Sequence, residues 1–192
     1  MERWNLAEAY AEVKKVMNEF AEMWQSWGIS AETIYERDTE GLWLLKYGEN
    51  VLRPLHISVT PERGGTKLPL ISLVSNEKVG AFSTEAYNRR YLRSYFERLT
   101  EYLVLEAAHA PAIVKAKLHI RKSGKHLYLD LLVEDGMLWF SFYLRRKGWT
   151  WMIKRWLRGQ GWVVVDRVYR PFNENPIESF VGIMDNIGLA LL

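Results

Sequence analysis

Cysteine is absent from this 192-residue chain. That absence excludes disulfides, thiolate metal sites and a cysteine nucleophile. Nothing then argues for an oxidising compartment, and a cytoplasmic location is the expectation. No run of about 18 apolar residues occurs, so no transmembrane helix and no membrane partner are expected. Met1-Glu2-Arg3-Trp4-Asn5 lacks the basic-then-apolar layout of a secretory signal. Glutamine is confined to Gln25 and Gln160 while Glu, Lys and Arg are plentiful, a profile that fits a heat-adapted source. Also missing are a phosphate-cradling glycine loop, a Gly-x-Ser-x-Gly elbow and a metalloprotease histidine pair. No cofactor, metal or reaction is therefore named by motif. No Gly/Pro/Ser-rich linker interrupts the chain, so a single α+β domain over 1–192 is expected. Two helix-plus-meander halves, 1–82 and 83–192, are the alternative division.

What is present begins with a local absence. Residues Gly136 to Val165 contain no carboxylate, yet they carry Arg145, Arg146, Lys147, Lys154, Arg155 and Arg158. The chain is +3 overall, so with six cations here the remainder is net negative. The same run holds Trp139, Trp149, Trp151, Trp156 and Trp162. Segregated positive charge interleaved with large flat rings suits a polyanion that also offers faces to stack on, which is single-stranded nucleic acid.

The pattern along the chain predicts the order α-β-β-β-β-α-β-β-β-α-β-α. Asn5-Leu6-Ala7-Glu8 reads as a capping box, and Gly28 stops the first helix. Candidate strands follow at 33–37, 42–47, 51–60 and 68–74, with Pro54 and Pro69 marking edges or bulges. A helix capped by Ser83 or Thr84 runs to about His109, with Leu92, Phe96, Leu99 and Leu103 as its apolar stripe. Tyr91, Tyr95 and Tyr102 form a second stripe with interface chemistry. Trp149 to Arg158 fits a short helix with Trp151, Lys154, Arg155 and Arg158 on its outer side. Trp162–Val168 reads as a strand. Asn175-Pro176-Ile177-Glu178 caps an apolar last helix over 176–192, the other candidate for homo-oligomer contact.

Strands 113–121, 126–133 and 137–144 form a meander whose faces can be assigned. Ser123-Gly124 and Asp135-Gly136 are two-residue turns. They set Leu118 beside Leu129 and Phe142, Ala116 beside Leu131 and Phe140, and Val114 beside Val133 and Leu138, all on one apolar face. The opposite face then carries Lys115, Lys117, His119, Arg121, His126, Tyr128, Asp130, Leu132, Trp139, Ser141, Tyr143 and Arg145. A sheet bearing Tyr128, Tyr143 and Trp139 among cations has the layout used to stack bases and hold phosphates.

Phe180-Val181-Gly182-Ile183-Met184-Asp185-Asn186-Ile187-Gly188 is similar, at its glycines and central acid, to the nine-residue signature of the LAGLIDADG homing endonucleases. In that family the signature helix leads into a DNA-binding sheet. The position of the family's metal-binding acid is Ile187 here, so the similarity carries none of that chemistry over.

Three functions are compatible with these residues. The first is non-catalytic binding of single-stranded DNA or RNA. Its phosphate contacts are Lys117, His119, Arg121, Arg145, Arg146, Lys147, Lys154, Arg155 and Arg158, and its stacking rings are Tyr128, Trp139, Tyr143 and Trp151. The second is an interaction or oligomeric subunit. The third is a hydrolase or nuclease using His119, His126 and Asp130.

Overall fold

The computed structural model describes residues 5–61, 69–75, 77–83, 89–109, 118–123, 126–133 and 136–191. It is an α+β protein of antiparallel meanders and helices. Two compact units divide the chain, Met1–Leu99 and Thr100–Leu192.

The first unit opens with α1 (Leu6–Ser26), started by the Asn5 side chain accepting from the Ala7 N–H at 2.9 Å. The helix ends at Gly28, whose φ of 86° is open to glycine and costly for other residues. Spacing of three and four places Tyr10, Val13, Met17, Phe20 and Trp24 on one buried stripe, while Glu8, Glu12, Glu19 and Glu22 face solvent. Five strands follow, β1 (Ile29–Glu36), β2 (Glu40–Tyr47), β3 (Asn50–Pro61), β4 (Pro69–Ser75) and β5 (Glu77–Ser83), paired in chain order as an antiparallel meander. Period-two alternation buries Trp43 and Leu45, Leu55, Ile57 and Val59, and Ile71 and Leu73. α1 lies against β1, β3 and β4, and Lys14 sits over the Trp43 ring at 4.3 Å. Gly41 makes room for that indole, because a Cβ there would come within 2.2 Å of it. Pro54 is tolerated because the β3–β4 ladder starts only at His56, and Pro69 is the first residue of its strand.

β5 is absent from the sequence-based order. Its sparse apolar residues, with Gly80 among them, give no clear alternation, yet the ladder runs from Leu70↔Ser83 to Ser75↔Glu77. Ser83 therefore ends a strand and does not cap the helix. Thr84 lies outside the described residues. α2 (Arg89–His109) crosses the unit boundary. In its first half Leu92, Phe96 and Leu99 are buried, and Phe96 stacks on Phe20 with centroids 5.7 Å apart.

The second unit holds β6 (Leu118–Ser123), β7 (His126–Val133), β8 (Gly136–Leu144), β9 (Gly148–Leu157) and β10 (Gly161–Pro171), again a five-stranded antiparallel meander in chain order. The expected helix at 149–158 is strand β9. Trp149, Trp151 and Ile153 are all buried by simple alternation, and an aromatic and β-branched sequence favours a strand. The helical spacing of Trp149, Met152, Ile153 and Trp156 is broken by that alternation, which puts Met152 and Trp156 on the opposite face.

Both hairpins close one residue from the expected place, at Ser123↔His126 and Val133↔Gly136. Leu118 thus pairs Leu131, and Leu129 pairs Phe140. The register differs from the predicted one by two residues, which preserves parity. Every described residue consequently stays on its assigned face. Lys115, Lys117, Val114 and Ala116 lie outside the described residues.

α3 (Pro176–Leu191) begins with Asn175 accepting from the Ile177 N–H at 2.9 Å. It covers the apolar face. Phe180 meets Phe140 edge-on at 5.3 Å and Trp151 at 4.9 Å. The indoles of Trp149 and Trp151 donate to the Glu174 and Pro176 carbonyls, each at 2.8 Å, which fastens β9 to the start of α3. Ile177, Phe180 and Met184 are thereby buried within their own unit.

Candidate nucleic-acid interface

The opposite face of the second sheet follows from the ladder. Asp130, Trp139, Lys154 and Val164 form one row across β7 to β10, Ser141, Met152 and Arg167 the next, and Tyr143, Thr150 and Tyr169 the one after. Backbone pairing sets His119 opposite Asp130 and Arg121 opposite Tyr128. The side chains of His119, Arg121 and His126 lie outside the described residues. Lys154 and Trp156, two apart, share this face, whereas Trp151, Ile153 and Arg155 take the other.

Alternation therefore redistributes the expected contacts. Trp151, expected outside, is fully buried beneath α3. Arg155, opposite Leu138, turns to the α3 side and lines a cavity of ≈ 260 Å³ with Ile153, Val165 and Ile187. Arg145, Arg146 and Lys147 are exposed at the β8–β9 turn, and Arg158 at the β9–β10 turn. Arg167, on β10, joins the set although the sequence reading left it out. A strand assignment for 149–157 was the signal needed to find it.

The rings on this face are largely occupied with each other. Tyr128 stacks on Trp139 with centroids 4.7 Å apart, and Trp139 on Trp162 at 3.9 Å. A 3.9 Å stack leaves no gap for a third ring. Burial pushes the Tyr128 phenol above its ordinary value, with Tyr143 adding to it. Asp130, Ser141 and Thr150 are buried in the middle of the face. Trp156 meets Trp162 edge-to-face at 5.4 Å and remains 46% exposed. Tyr143 carries the Arg145 guanidinium over its ring at 5.3 Å, and Tyr169 is exposed. Among the described residues, the exposed rings of the face, Trp156 and Tyr169, thus lie at its β9–β10 margin.

On that margin cation and ring alternate at positions two apart on adjacent strands. The pairs are Tyr143 at the end of β8 with Arg145 just beyond it, Lys154 and Trp156 on β9, and Arg167 and Tyr169 on β10. Among the described residues the one carboxylate on the face is Asp130, and it is buried. Asp166 opposes Ile153 and so faces the other way.

β10 is also an edge strand, and its edge is blunted. Asp166 accepts from the Arg167 N–H at 2.7 Å, and the Arg170 guanidinium donates to the Tyr169 carbonyl at 2.9 Å. A register shift between Val164 and Asp166 breaks the ladder as well. These are the devices by which sheets avoid strand addition.

Of the hydrolytic group, the backbone sets His119 opposite Asp130, and the side chains of both histidines lie outside the described residues. His126 and Asp130 are four residues apart on β7, about 13 Å at ~3.4 Å per residue. Among the described residues no cluster of metal-ligating side chains occurs. A titratable group that the sequence reading missed lies in the first unit. Glu40 accepts from the Tyr35 hydroxyl at 2.9 Å and sits 2.7 Å from His56 Nε2. Those hydrogen bonds, His56 first, hold its carboxyl below the ordinary value. The β2–β3 register, which sets Leu42 opposite His56, would have revealed it.

Of the tyrosine stripe on α2, Tyr95 is buried and Tyr91 exposed, so the three do not form one surface. No described helix is long and apolar enough to cross a membrane. No family model, curated protein or solved structure matches this chain.

Proposed function

We propose that the second unit binds single-stranded DNA or RNA without chemistry, along the β9–β10 margin of its polar sheet face. The reading rests on one observation. Cations and rings alternate on β8, β9 and β10, on a face whose described carboxylate is buried. In this reading Arg145, Arg146, Lys147, Lys154, Arg158 and Arg167 meet the phosphates. Trp156 and Tyr169 are the rings open to a base.

Fluorescence anisotropy with a labelled oligonucleotide tests this. Binding is expected at low salt, with log affinity falling against log salt by about 0.7 for each phosphate neutralised. Absence of binding at low salt would end the proposal.

An interaction subunit is the second reading. It draws on the apolar side chains exposed on the same margin, Val164 at 40% and Tyr169 at 51%. The blunted β10 edge weighs against docking by strand addition and leaves side-chain contact as the route. Light scattering distinguishes the two, because a species that stays monomeric while binding oligonucleotide fits only the first.

A further inference from the structure

We infer that Trp156 is a single-base platform of this interface and that Lys154 and Arg158 hold the phosphates on either side of that base. The inference rests on the proposed binding of single strands and assigns the residues that select an unpaired nucleotide.

Beside Tyr169, exposed on β10, elimination among the rings of this face leaves Trp156. Tyr128, Trp139 and Trp162 form a continuous stack with centroids 4.7 and 3.9 Å apart. Separating them to admit a base would forfeit existing ring contacts for equivalent new ones. Tyr143 has the Arg145 guanidinium over its ring. Trp156 differs from all of these. Its contact with Trp162 is T-shaped, with an interplanar angle of 68°. A T-shaped contact engages the face of one ring and the edge of the other, so Trp156 keeps at least one face unstacked. It is the exposed tryptophan among the described residues.

The backbone supplies the rest. Lys154 precedes Trp156 by two residues on β9 and shares its face, half-buried beside Val164. Arg158 follows by two, exposed in the turn. At ~3.3 Å per residue each cation starts about 7 Å along the strand from the indole. Every internal nucleotide places its base between two phosphates, and this strand places its ring between two cations. Neither cation makes an ion pair with another described residue. A base on Trp156 must be out of its own stack, so a duplex offers the phosphates without the base, whereas a single strand offers both.

The experiment compares the intact protein with Trp156→Ala, Trp156→Phe, Lys154→Gln and Arg158→Gln, titrated into a deoxythymidine oligomer, its abasic counterpart and a duplex of equal length. Circular dichroism checks that each variant is folded. Trp156→Ala is expected to weaken oligomer binding roughly 5- to 100-fold, the loss of one stacked base. Trp156→Phe should recover most of it. Each glutamine variant should reduce the salt slope by about 0.7. The abasic chain and the duplex should bind the intact protein no better than they bind Trp156→Ala. If the intact protein binds the oligomer and Trp156→Ala or the abasic chain does equally well, the platform is refuted while single-strand binding stands. If the intact protein binds no oligomer at low salt, the parent reading has failed, and the platform with it.

Discussion

The two meanders make a natural comparison. Each consists of five antiparallel strands paired in chain order and follows a 21-residue helix, α1 or α2. They differ in how their charges are satisfied. In the first, cations meet acids close by. Lys46 pairs with Glu32, Lys14 with Glu36 at 3.2 Å, and His56 with Glu40 at 2.7 Å. A depression of ≈ 620 Å³ there, along α1, is lined by Lys14, Lys15 and Arg37 but also by Glu19, Glu22 and Glu36. In the second, Arg145, Arg146, Lys147, Lys154, Arg158 and Arg167 make no ion pair among the described residues, and rings stand between them. One topology thus carries a neutralised surface in one place and a cationic one in another. Topology says little about function here, and the placement of acids says more.

The comparison can be broken first at the cores. Phe180→Ala removes the ring wedged between Phe140 and Trp151. It should cost about 3–5 kcal/mol in denaturant unfolding, because the cavity cannot collapse against rigid indoles. In the first unit, Gly41→Ala drives a Cβ to within 2.2 Å of the Trp43 ring. An overpacking loss of about 1–3 kcal/mol is expected. A loss below 0.5 kcal/mol by this measurement would mean the indole moves freely.

The charge difference can be sharpened by substitution on both sheets. Replacing Arg145, Arg146 and Lys147 together by Gln should lower the salt slope of oligonucleotide binding by about 2. Replacing Lys14 and Lys46 should leave it unchanged. Equal effects from the two sets would erase the distinction between the units.

A pH effect belongs to the first unit. Burial raises the Tyr95 phenol from 10.0 to about 12. A raised value means that the folded state holds its proton more firmly than the unfolded chain does. Tyr95's contribution is therefore complete below pH 10 and declines as pH rises toward 12. Tyr95→Phe should flatten the alkaline limb of a thermal-stability profile over that window. An unaltered limb would show that another group governs it.

The smallest effect in stability concerns the edge. Asp166→Ala combined with Arg170→Ala removes both side-chain caps from β10. Stability should change by less than about 1 kcal/mol, while light scattering detects new self-association. A variant that remains as monomeric as the parent would mean that the register shift alone protects the strand.

How much of this was legible in the sequence depended on the range of the signal. The Asn5 and Asn175 caps and the Gly28 stop were readable because capping is a contact between residues a few positions apart. Faces of the second meander survived a wrong choice of turn residue, because a slip of two keeps parity. β9 was misread because Trp149, Met152, Ile153, Trp156 and Leu157 match a helical spacing, whereas the strand buries Trp149, Trp151 and Ile153 by alternation. The choice was made by Trp149 and Trp151 reaching the carbonyls of Glu174 and Pro176 at the start of α3. β5 was missed because its strand character comes from pairing with β4 and not from its own composition. Glu40 and His56 were invisible as a pair because sixteen residues separate them along the chain.

The sequence by itself determined the class of the fold, both ends of α1 and the start of α3, the two faces of the β7–β8 ladder and the concentration of cations and rings in one stretch. These rest on local sterics, period and composition, which need no partner. Tertiary structure alone decided which tryptophans lie under α3, which stack on one another and which one meets solvent. A side chain's accessibility is set by what distant segments bring against it, and no window of the chain contains that information.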